Sequence, residues 1–165
     1  MKTMLKLSLA SALGFGLLAS AMPANATDQT GNASAEIQEQ LTITEDTAMD
    51  FATIAADPTG DTVTLTAADA ISSTGTSTFS GTPSAGEFTA TGTPNASVTI
   101  SFSTGDTLTG PGAAMGLGTF TTDAGGTPAL DGTGELTFNV GANLGVNAGQ
   151  VGGTYTGTYT VTVDY

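Results

Sequence analysis

Apolar and polar residues alternate one by one in several separate stretches of this chain. The clearest stretch is GTYTGTYTVTVDY at Gly153–Tyr165, where threonine fills the even positions as far as Thr162. The same alternation occurs in TVTLTA (62–67), SVTISFS (97–103) and LTFNVGANLGV (136–146). Successive side chains of a β-strand point to opposite faces of its sheet. Each stretch therefore predicts a strand with one buried face and one face in water.

Turn sequences rich in glycine, proline, asparagine and aspartate separate these stretches. Examples are DPTGD (57–61), TGTPNAS (91–97) and DAGGTPALDGTG (123–134). These residue types supply the backbone angles that tight turns need. Seven to nine short strands, with no helical periodicity beyond residue 26, predict an all-β fold, a single immunoglobulin-like antiparallel β-sandwich over residues 27–165. The low content of large aliphatic residues makes disorder the alternative, but the repeated phase argues against it.

The first residues have the pattern of a secretory signal peptide. The start MKTMLK carries both lysines of the chain and precedes an apolar run from Leu7 to about Ala21. Small residues then frame an A-x-A site at Ala24–Ala26. The apolar run is shorter than the ~20 residues that a membrane-spanning helix needs. We expect residues 1–26 to be a cleaved signal peptide, which predicts a secreted protein of the periplasm or cell surface with no membrane span after cleavage.

Beyond Ala26 the chain has no cationic side chain. It has no Lys, Arg, His, Cys or Trp there, whereas all 15 Asp and Glu residues remain. Nucleic-acid binding requires cations that neutralise phosphates, and attraction to anionic lipids requires basic residues. The composition therefore excludes nucleic-acid partners, side-chain ion pairs and disulfides in the secreted chain.

The same composition argues against catalysis. A serine nucleophile would lack a histidine or lysine base, and zinc sites favour His and Cys ligands. Calcium prefers oxygen ligands, which Asp123, Asp131 and Glu135, or Asp57 and Asp61, offer. Aspartate before glycine or proline is primarily a turn former, and no loop has the spacing of a known calcium motif. We therefore expect no enzyme activity, no cofactor and no metal site.

Three stretches resemble a family of secreted bacterial domains of unknown function. They are LTITEDTAMDFATI (41–54), EFTATGTPNASVTISF (87–102) and VGANLGVNAGQVGGTYTGTYTVTVDY (140–165). Members of that family run from a signal peptide, through a D-F-x-x-I block, to a G-x-Y-x-G-x-Y/F-x-V-x-V-x-Y ending. The ending also resembles pilin subunits of the chaperone–usher type, including the spore-coat-U-like branch. Many such pilins carry a disulfide, which this chain lacks.

The pilin resemblance implies a role for the last strand. In such pilins this strand belongs to an immunoglobulin-like sandwich, lies beside an incomplete sheet edge and is bound by a periplasmic chaperone. The resemblance implies that the core-facing residues here are Tyr155, Tyr159, Val161, Val163 and Tyr165. The alternative is an ordinary closing strand in a complete sandwich, with no role in assembly.

The N-terminal stretch NASAEIQEQLTI is the candidate donor strand. Pilins of this type add an extended segment of one subunit to the open sheet edge of another. Ile37, Leu41 and Ile43 share one phase of this stretch, although Glu39 interrupts that phase. The same residues can instead form the first strand of their own domain. The sequence leaves open whether this segment is self-inserted or exchanged with another copy.

These observations favour a secreted acidic surface protein with a structural or assembly role, of which a pilin-like subunit is one form. Its partners would then be other copies of the chain and a periplasmic chaperone. The alternative function is a stand-alone secreted β-sandwich binding module with an unknown ligand.

Overall fold

The computed structural model describes residues 27–165, so the predicted signal peptide lies outside the described residues. The chain divides into two units, residues 1–35 and Glu36–Tyr165. Of the first unit the structure describes residues 27–35, which have exposed side chains and no regular secondary structure. All strands lie in the second unit.

The second unit contains eleven strands, and the structure assigns no helix to residues 27–165. The strands are β1 (Thr42–Thr47), β2 (Thr53–Ala55), β3 (Asp61–Leu65), β4 (Ile71–Ser73), β5 (Thr78–Ser80), β6 (Gly86–Thr91), β7 (Thr99–Phe102), β8 (Asp106–Leu108), β9 (Met115–Thr122), β10 (Glu135–Val146) and β11 (Val161–Asp164). The number exceeds the seven to nine expected because β2, β4, β5 and β8 have only three residues each, too few to show alternation.

Strand β10 is the centre of a seven-stranded antiparallel sheet. One of its edges pairs first with β6 and then with β3, and the opposite edge pairs with β9. Strands β1, β4 and β8 extend this sheet from β6, β3 and β9 respectively. The alternation in 136–146 reflects this position, because one face of β10 carries the core.

The second layer consists of two separate two-stranded sheets. Strand β11 pairs with β7, and β2 pairs with β5, all antiparallel. Side chains of the β7–β11 pair, among them Val161 and Val163, pack on a core cluster that contains Phe138 and Val140 of β10. Ile54 and Phe79 from the β2–β5 pair pack against a second cluster that contains Val63 and Leu65.

This arrangement confirms the predicted all-β sandwich. The largest fully buried side chains are Phe138, Leu65, Leu144, Val63 and Val140. All five lie on the alternating stretches that the sequence identified, on β3 and β10. Burying a large aliphatic or aromatic side chain contributes about 1.5–3 kcal/mol, so these two strands supply much of the stability of the core.

Strand β1 is an edge strand whose side chains are all exposed. Its ladder with β6 shifts register between Glu45 and Thr47. The strand begins only at Thr42, so residues 32–41 of the stretch NASAEIQEQLTI are not part of the domain's own first strand. Thr42 pairs with Thr91, the last residue of β6, and the chain after β6 turns at Pro94. Residues before Thr42 therefore have no strand of β6 beside them.

Candidate functional site

A cleft of about 830 Å³ opens on this domain. One wall is the segment 49–56, which leads into and includes β2, and the other wall is the segment 150–157 with Tyr159. Buried side chains of the seven-stranded sheet form its apolar floor; they are Met115, Leu117, Leu144 and Val146. Asp50 is the one carboxylate among the lining residues. The cleft is therefore a gap in the second layer whose floor is apolar and whose lining carries a single carboxylate.

The segment that leads into β11 presents an unpaired backbone edge to this cleft. Thr156 exchanges two backbone hydrogen bonds with Thr109, at 2.8 and 2.9 Å, and the Ser103 N–H donates to the Thr160 carbonyl at 2.9 Å. Even-numbered residues thus direct their backbone groups toward β7 and β8. Tyr155, Gly157 and Tyr159 make no backbone–backbone hydrogen bond within residues 27–165.

The same alternation continues along β11. Antiparallel strands alternate between hydrogen-bonded and non-hydrogen-bonded pairs, so Val161 and Val163 also direct their N–H and C=O groups away from β7. Strand β11 has β7 as its one partner among the described strands. An open edge of roughly 30 Å therefore runs from Tyr155 to Val163 at ~3.3 Å per residue.

Two tyrosines shape the cleft. The Tyr155 hydroxyl donates to the Val151 carbonyl at 2.7 Å and accepts from the Gly112 N–H at 2.9 Å, which ties the 149–153 loop to the loop before β9. The Tyr159 ring stacks on Phe120 with centroids 5.1 Å apart and meets Phe88 edge-on at 6.1 Å. These contacts hold both rings rigidly.

Tyr159 has an unusual polar environment. Its hydroxyl is buried without a hydrogen-bond partner among the described residues. Burial raises the pKa of Tyr159 to about 12, and the nearby charge of Glu45 acts in the same direction. A Cβ at position 86 would collide with this hydroxyl, so Gly86 makes room for it. Tyr159 is therefore neutral at any physiological pH and packs as a large aromatic side chain.

The structure places four of the five predicted last-strand residues in the interior. Tyr155, Tyr159, Val161 and Val163 are partly buried and pack against the two core clusters. The regular strand is shorter than the sequence alternation, because only Val161–Asp164 pair continuously with β7. Upstream of Val161 the neighbouring segment of the same chain turns between β7 and β8. The pairing there is reduced to an isolated bridge between Thr109 and Thr156.

Tyr165, the fifth residue, lies at the rim of the sandwich and is 37% exposed. Its hydroxyl accepts from the Thr93 N–H at 2.7 Å and donates to the Glu39 carbonyl at 2.8 Å. Tyr165 therefore connects β11 to the segment that precedes β1.

The three candidate donor residues have different environments. Ile37 is 92% exposed, and the structure assigns no strand to its segment. Leu41 is partly buried against the cluster that contains Phe138. Ile43 lies on β1, opposite Ala90 of β6, and is 37% exposed. Ile43 thus belongs to the domain's own first strand, and Leu41 packs on the core directly before that strand. Ile37 is therefore the one large apolar side chain among residues 27–40.

The carboxylates considered for calcium lie in different settings. Both oxygens of Asp57 accept hydrogen bonds from the N–H and hydroxyl groups of Thr59 and Thr76, at 2.6–2.8 Å. Asp131 similarly accepts from Thr133 and the Glu135 N–H. The two oxygens of Asp61 are buried without a partner in the described chain. Among residues 27–165, no group of three or more metal-ligating side chains is gathered in one place.

Residues 27–165 contain no helix with the length and apolar character that crossing a membrane requires.

Sequence reasoning did not identify the wall formed by residues 49–56. This segment has no alternation, because it crosses from the seven-stranded sheet to the second layer. Asp50 directs the crossing: its side chain accepts from the Ala52 N–H at 2.8 Å, and Ala52 adopts a φ of 57°. The Asp-Phe pair at 50–51 was a usable signal, since aspartate commonly caps a turn two residues ahead.

Comparison with known proteins gives one result. No curated protein and no solved structure matches the chain. Residues 41–165 match the family described as Domain of unknown function (DUF4402). This region contains all eleven strands, the cleft and its open edge. The chain therefore belongs to the DUF4402 family.

Proposed function

We propose that this protein is a secreted structural subunit that assembles by strand addition. Residues 27–38, hereafter the donor segment, would enter the cleft of a second copy and pair with the open edge from Tyr155 to Val163. The observation that carries this proposal is the unpaired backbone edge beside a cleft with an apolar floor. Secretion rests on the signal-peptide pattern in residues 1–26. A pilin-like assembly with a chaperone is the form that the resemblance favours.

The chemistry of the two sheet edges supports the choice of the cleft. Unpaired strand edges invite association, and proteins protect them with charges and bulges. Strand β1 has both protections, because it carries Glu45 and Asp46 and its ladder with β6 has a register shift between Glu45 and Thr47. The edge from Tyr155 to Val163 carries no charged residue and no proline. The chain thus protects one edge and leaves the other able to accept a strand.

The donor segment has suitable chemistry for this edge. Its side chains are exposed and it forms no regular secondary structure. Ala33, Ala35 and Ile37 lie in one phase and would point toward the apolar floor of the cleft. An extended donor segment spans roughly 40 Å at ~3.3 Å per residue, compared with roughly 30 Å for the open edge. The added strand would pair the free backbone groups and cover core side chains that now face the cleft.

The two contact surfaces on each copy are different, so the interface is heterologous. A heterologous contact generates a ring when its rotation closes and an open filament when it does not. Each copy offers one donor segment and one cleft, which permits a chain of copies of unlimited length. This geometry supports a structural role.

A pair of neighbouring substitutions tests the proposal in the full chain. Ile37→Asp places a charge in the phase that faces the cleft, whereas Gln38→Asp places the same charge in the outward phase. Both residues are exposed, so neither change should affect folding of the domain. We expect wild type and Gln38→Asp to form ladders that survive detergent at room temperature and dissociate on boiling. Ile37→Asp should lose the ladders, because an unpaired buried charge costs several kcal/mol.

The readout is an unboiled detergent gel of surface-sheared material, with circular dichroism of each secreted protein as a folding control. Equal ladders in the two variants would show that the donor segment is not inserted. A wild-type protein that remains a monomer under all conditions would favour the stand-alone binding module instead.

A further inference from the structure

The Tyr165 hydroxyl binds Glu39, the residue that directly follows the donor segment. The hydrogen bonds among Glu39, Thr93 and Tyr165 are hereafter called the clasp. Within the unit that starts at Glu36, Glu39 is the first residue that hydrogen-bonds to the rest of the unit. The Glu39 N–H donates to Thr93 Oγ1 at 2.7 Å, and its carbonyl accepts from the Tyr165 hydroxyl at 2.8 Å. The Tyr165 oxygen also accepts from the Thr93 N–H at 2.7 Å. Thr93 and Tyr165, which are hydrogen-bonded to each other, therefore bind both backbone groups of Glu39.

A glycine makes this arrangement possible. A Cβ at position 92 would collide with the Tyr165 hydroxyl and would lie 2.9 Å from Leu41 Cδ1. Gly92 follows β6 directly, so the tyrosine oxygen can approach the backbone at the end of that strand. The clasp thus uses a close approach that any larger residue at position 92 would block.

Little else holds the start of β1. Every side chain of β1 is exposed, so the strand is bound mainly by its backbone ladder with β6. Such a ladder opens one residue at a time when its end is pulled. Leu41, which is partly buried, the Thr42–Thr91 hydroxyl hydrogen bond and the clasp at Glu39 resist this opening at the end nearest to the donor segment.

We propose that Tyr165 is a positioning residue that fixes Glu39 as the boundary between the domain and its exchangeable segment. The inference deepens the proposed function and rests on it for the part that concerns assembly. Tyr165 directly follows β11 and is the last residue of its odd-numbered, core-facing phase. The backbone groups of the odd-numbered residues before it form the open edge that accepts the next donor segment. In an assembled filament, tension on a donor segment would therefore pass from Glu39 through Tyr165 into β11, which holds the following copy.

A protease that cleaves after glutamate tests the boundary in the monomeric full chain. Residues 27–165 contain no Lys or Arg, but they carry Glu36 outside the clasp and Glu39 inside it. We expect rapid cleavage after Glu36 and slow cleavage after Glu39 in the wild type. Tyr165→Phe keeps the ring and removes the hydroxyl. It should accelerate cleavage after Glu39 by roughly three- to tenfold, the effect of one or two lost hydrogen bonds on local opening, with cleavage after Glu36 unchanged.

Two further variants make the result specific. Thr93→Val removes the acceptor of the Glu39 N–H and should accelerate the same cleavage, with little additional effect in the double variant. Thr47→Val removes the hydrogen bond to Glu87 at the opposite end of the same ladder, at 3.2 Å, and should leave cleavage after Glu39 unchanged. Equal cleavage after Glu39 in wild type and Tyr165→Phe would overturn the inference. Faster cleavage also after Glu87 in β6 would overturn it, because Tyr165 would then support the whole fold.

This measurement is independent of assembly. If Ile37→Asp leaves the ladders intact, the proposed function fails while the clasp at Glu39 still stands on the protease result. If ladders form as proposed, Tyr165→Phe ladders should dissociate at a lower temperature than wild-type ladders. Identical dissociation temperatures would show that tension does not pass through Tyr165.

Discussion

At the scale of single residues, the fold depends on carboxylates that bind backbone and hydroxyl donors in place of cations. Asp57 is the most developed case. Its side chain is buried and receives four hydrogen bonds from Thr59 and Thr76, and its own N–H donates to Ser77 Oγ. This carboxylate joins the turn before β3 to the β4–β5 loop. The hydroxyls of Thr59 and Thr76, and then their N–H groups, hold the pKa of Asp57 far below its usual range.

The lowered pKa of Asp57 sets a pH dependence. A carboxyl whose folded pKa is depressed adds stability above its unfolded pKa and loses that stability as the pH falls toward its folded pKa. We expect the melting temperature to fall as the pH decreases below about 4, the usual aspartate pKa. Asp131 acts in the same direction, because the Glu135 N–H and the Thr133 hydroxyl lower its pKa.

Asp57→Asn should remove much of this dependence. The amide would place an NH₂ group against the donors of Thr59 or Thr76, so we expect a melting temperature lower by on the order of 5 °C at pH 7. Thermal denaturation between pH 3 and pH 7 checks both points. Glu135→Gln, at an exposed side chain, is the matched control. A slope below pH 4 that is unchanged in Asp57→Asn would assign the acid sensitivity to other carboxylates.

At the scale of elements, β11 combines two roles on one phase. The side chains of Val161 and Val163 pack into the core, while their backbone groups form the end of the open edge that begins at Tyr155. Gly157 serves the packing, because a Cβ there would collide with the Thr107 carbonyl. The phase of this strand is therefore critical for the domain as well as for the proposed assembly.

Substitutions at adjacent positions of β11 should separate its two faces. Val163→Asp places a charge against the cluster that contains Phe138, and we expect destabilisation by about 3 kcal/mol or more, enough to reduce secretion of folded protein. Thr162→Asp adds the same charge on the exposed face and should change stability by less than about 1 kcal/mol. Urea denaturation followed by circular dichroism measures both. Similar losses in the two variants would contradict the assigned phase.

At the scale of the whole molecule, charge is unbalanced. Residues 27–165 carry all 15 acidic side chains and no cationic one, so every side-chain charge repels every other. The Debye length falls from ~30 Å at 0.01 M salt to ~10 Å at 0.1 M. Electrostatic repulsion in this domain is therefore long-ranged in dilute buffer and weak at moderate ionic strength.

We expect the melting temperature at neutral pH to rise by a few degrees between about 0.01 and 0.2 M sodium chloride, as screening removes repulsion from the folded state. Scanning calorimetry at several salt concentrations measures this. A melting temperature that is flat or falls with salt would show that the charges are too dispersed to matter. A rise with micromolar calcium at constant ionic strength would instead identify a specific cation site.

The sequence by itself determined the features that depend on local pattern. Alternation identified the core faces of β3, β7, β10 and the last strand, because the side-chain period of a strand is independent of its partners. Composition excluded ion pairs and disulfides in residues 27–165. The family resemblance extended to the D-F-x-x-I block at 50–54, which the match over residues 41–165 includes.

Tertiary structure decided which edges remain open. Alternation shows which side chains face inward but not which strand is the neighbour, so neither the gap beside β11 nor the short strands β2 and β5 could be predicted. Alternation could not divide the N-terminal stretch either, because Ile37, Leu41 and Ile43 share one phase although the boundary between the donor segment and the domain lies between Ile37 and Leu41. Ile43 joined the domain because it pairs with Ala90 of β6, and Leu41 because it packs on the cluster that contains Phe138, whereas Ile37 is 92% exposed. That boundary depends on Gly92, Thr93 and Tyr165, which are distant from Glu39 in sequence and meet it only in the folded chain.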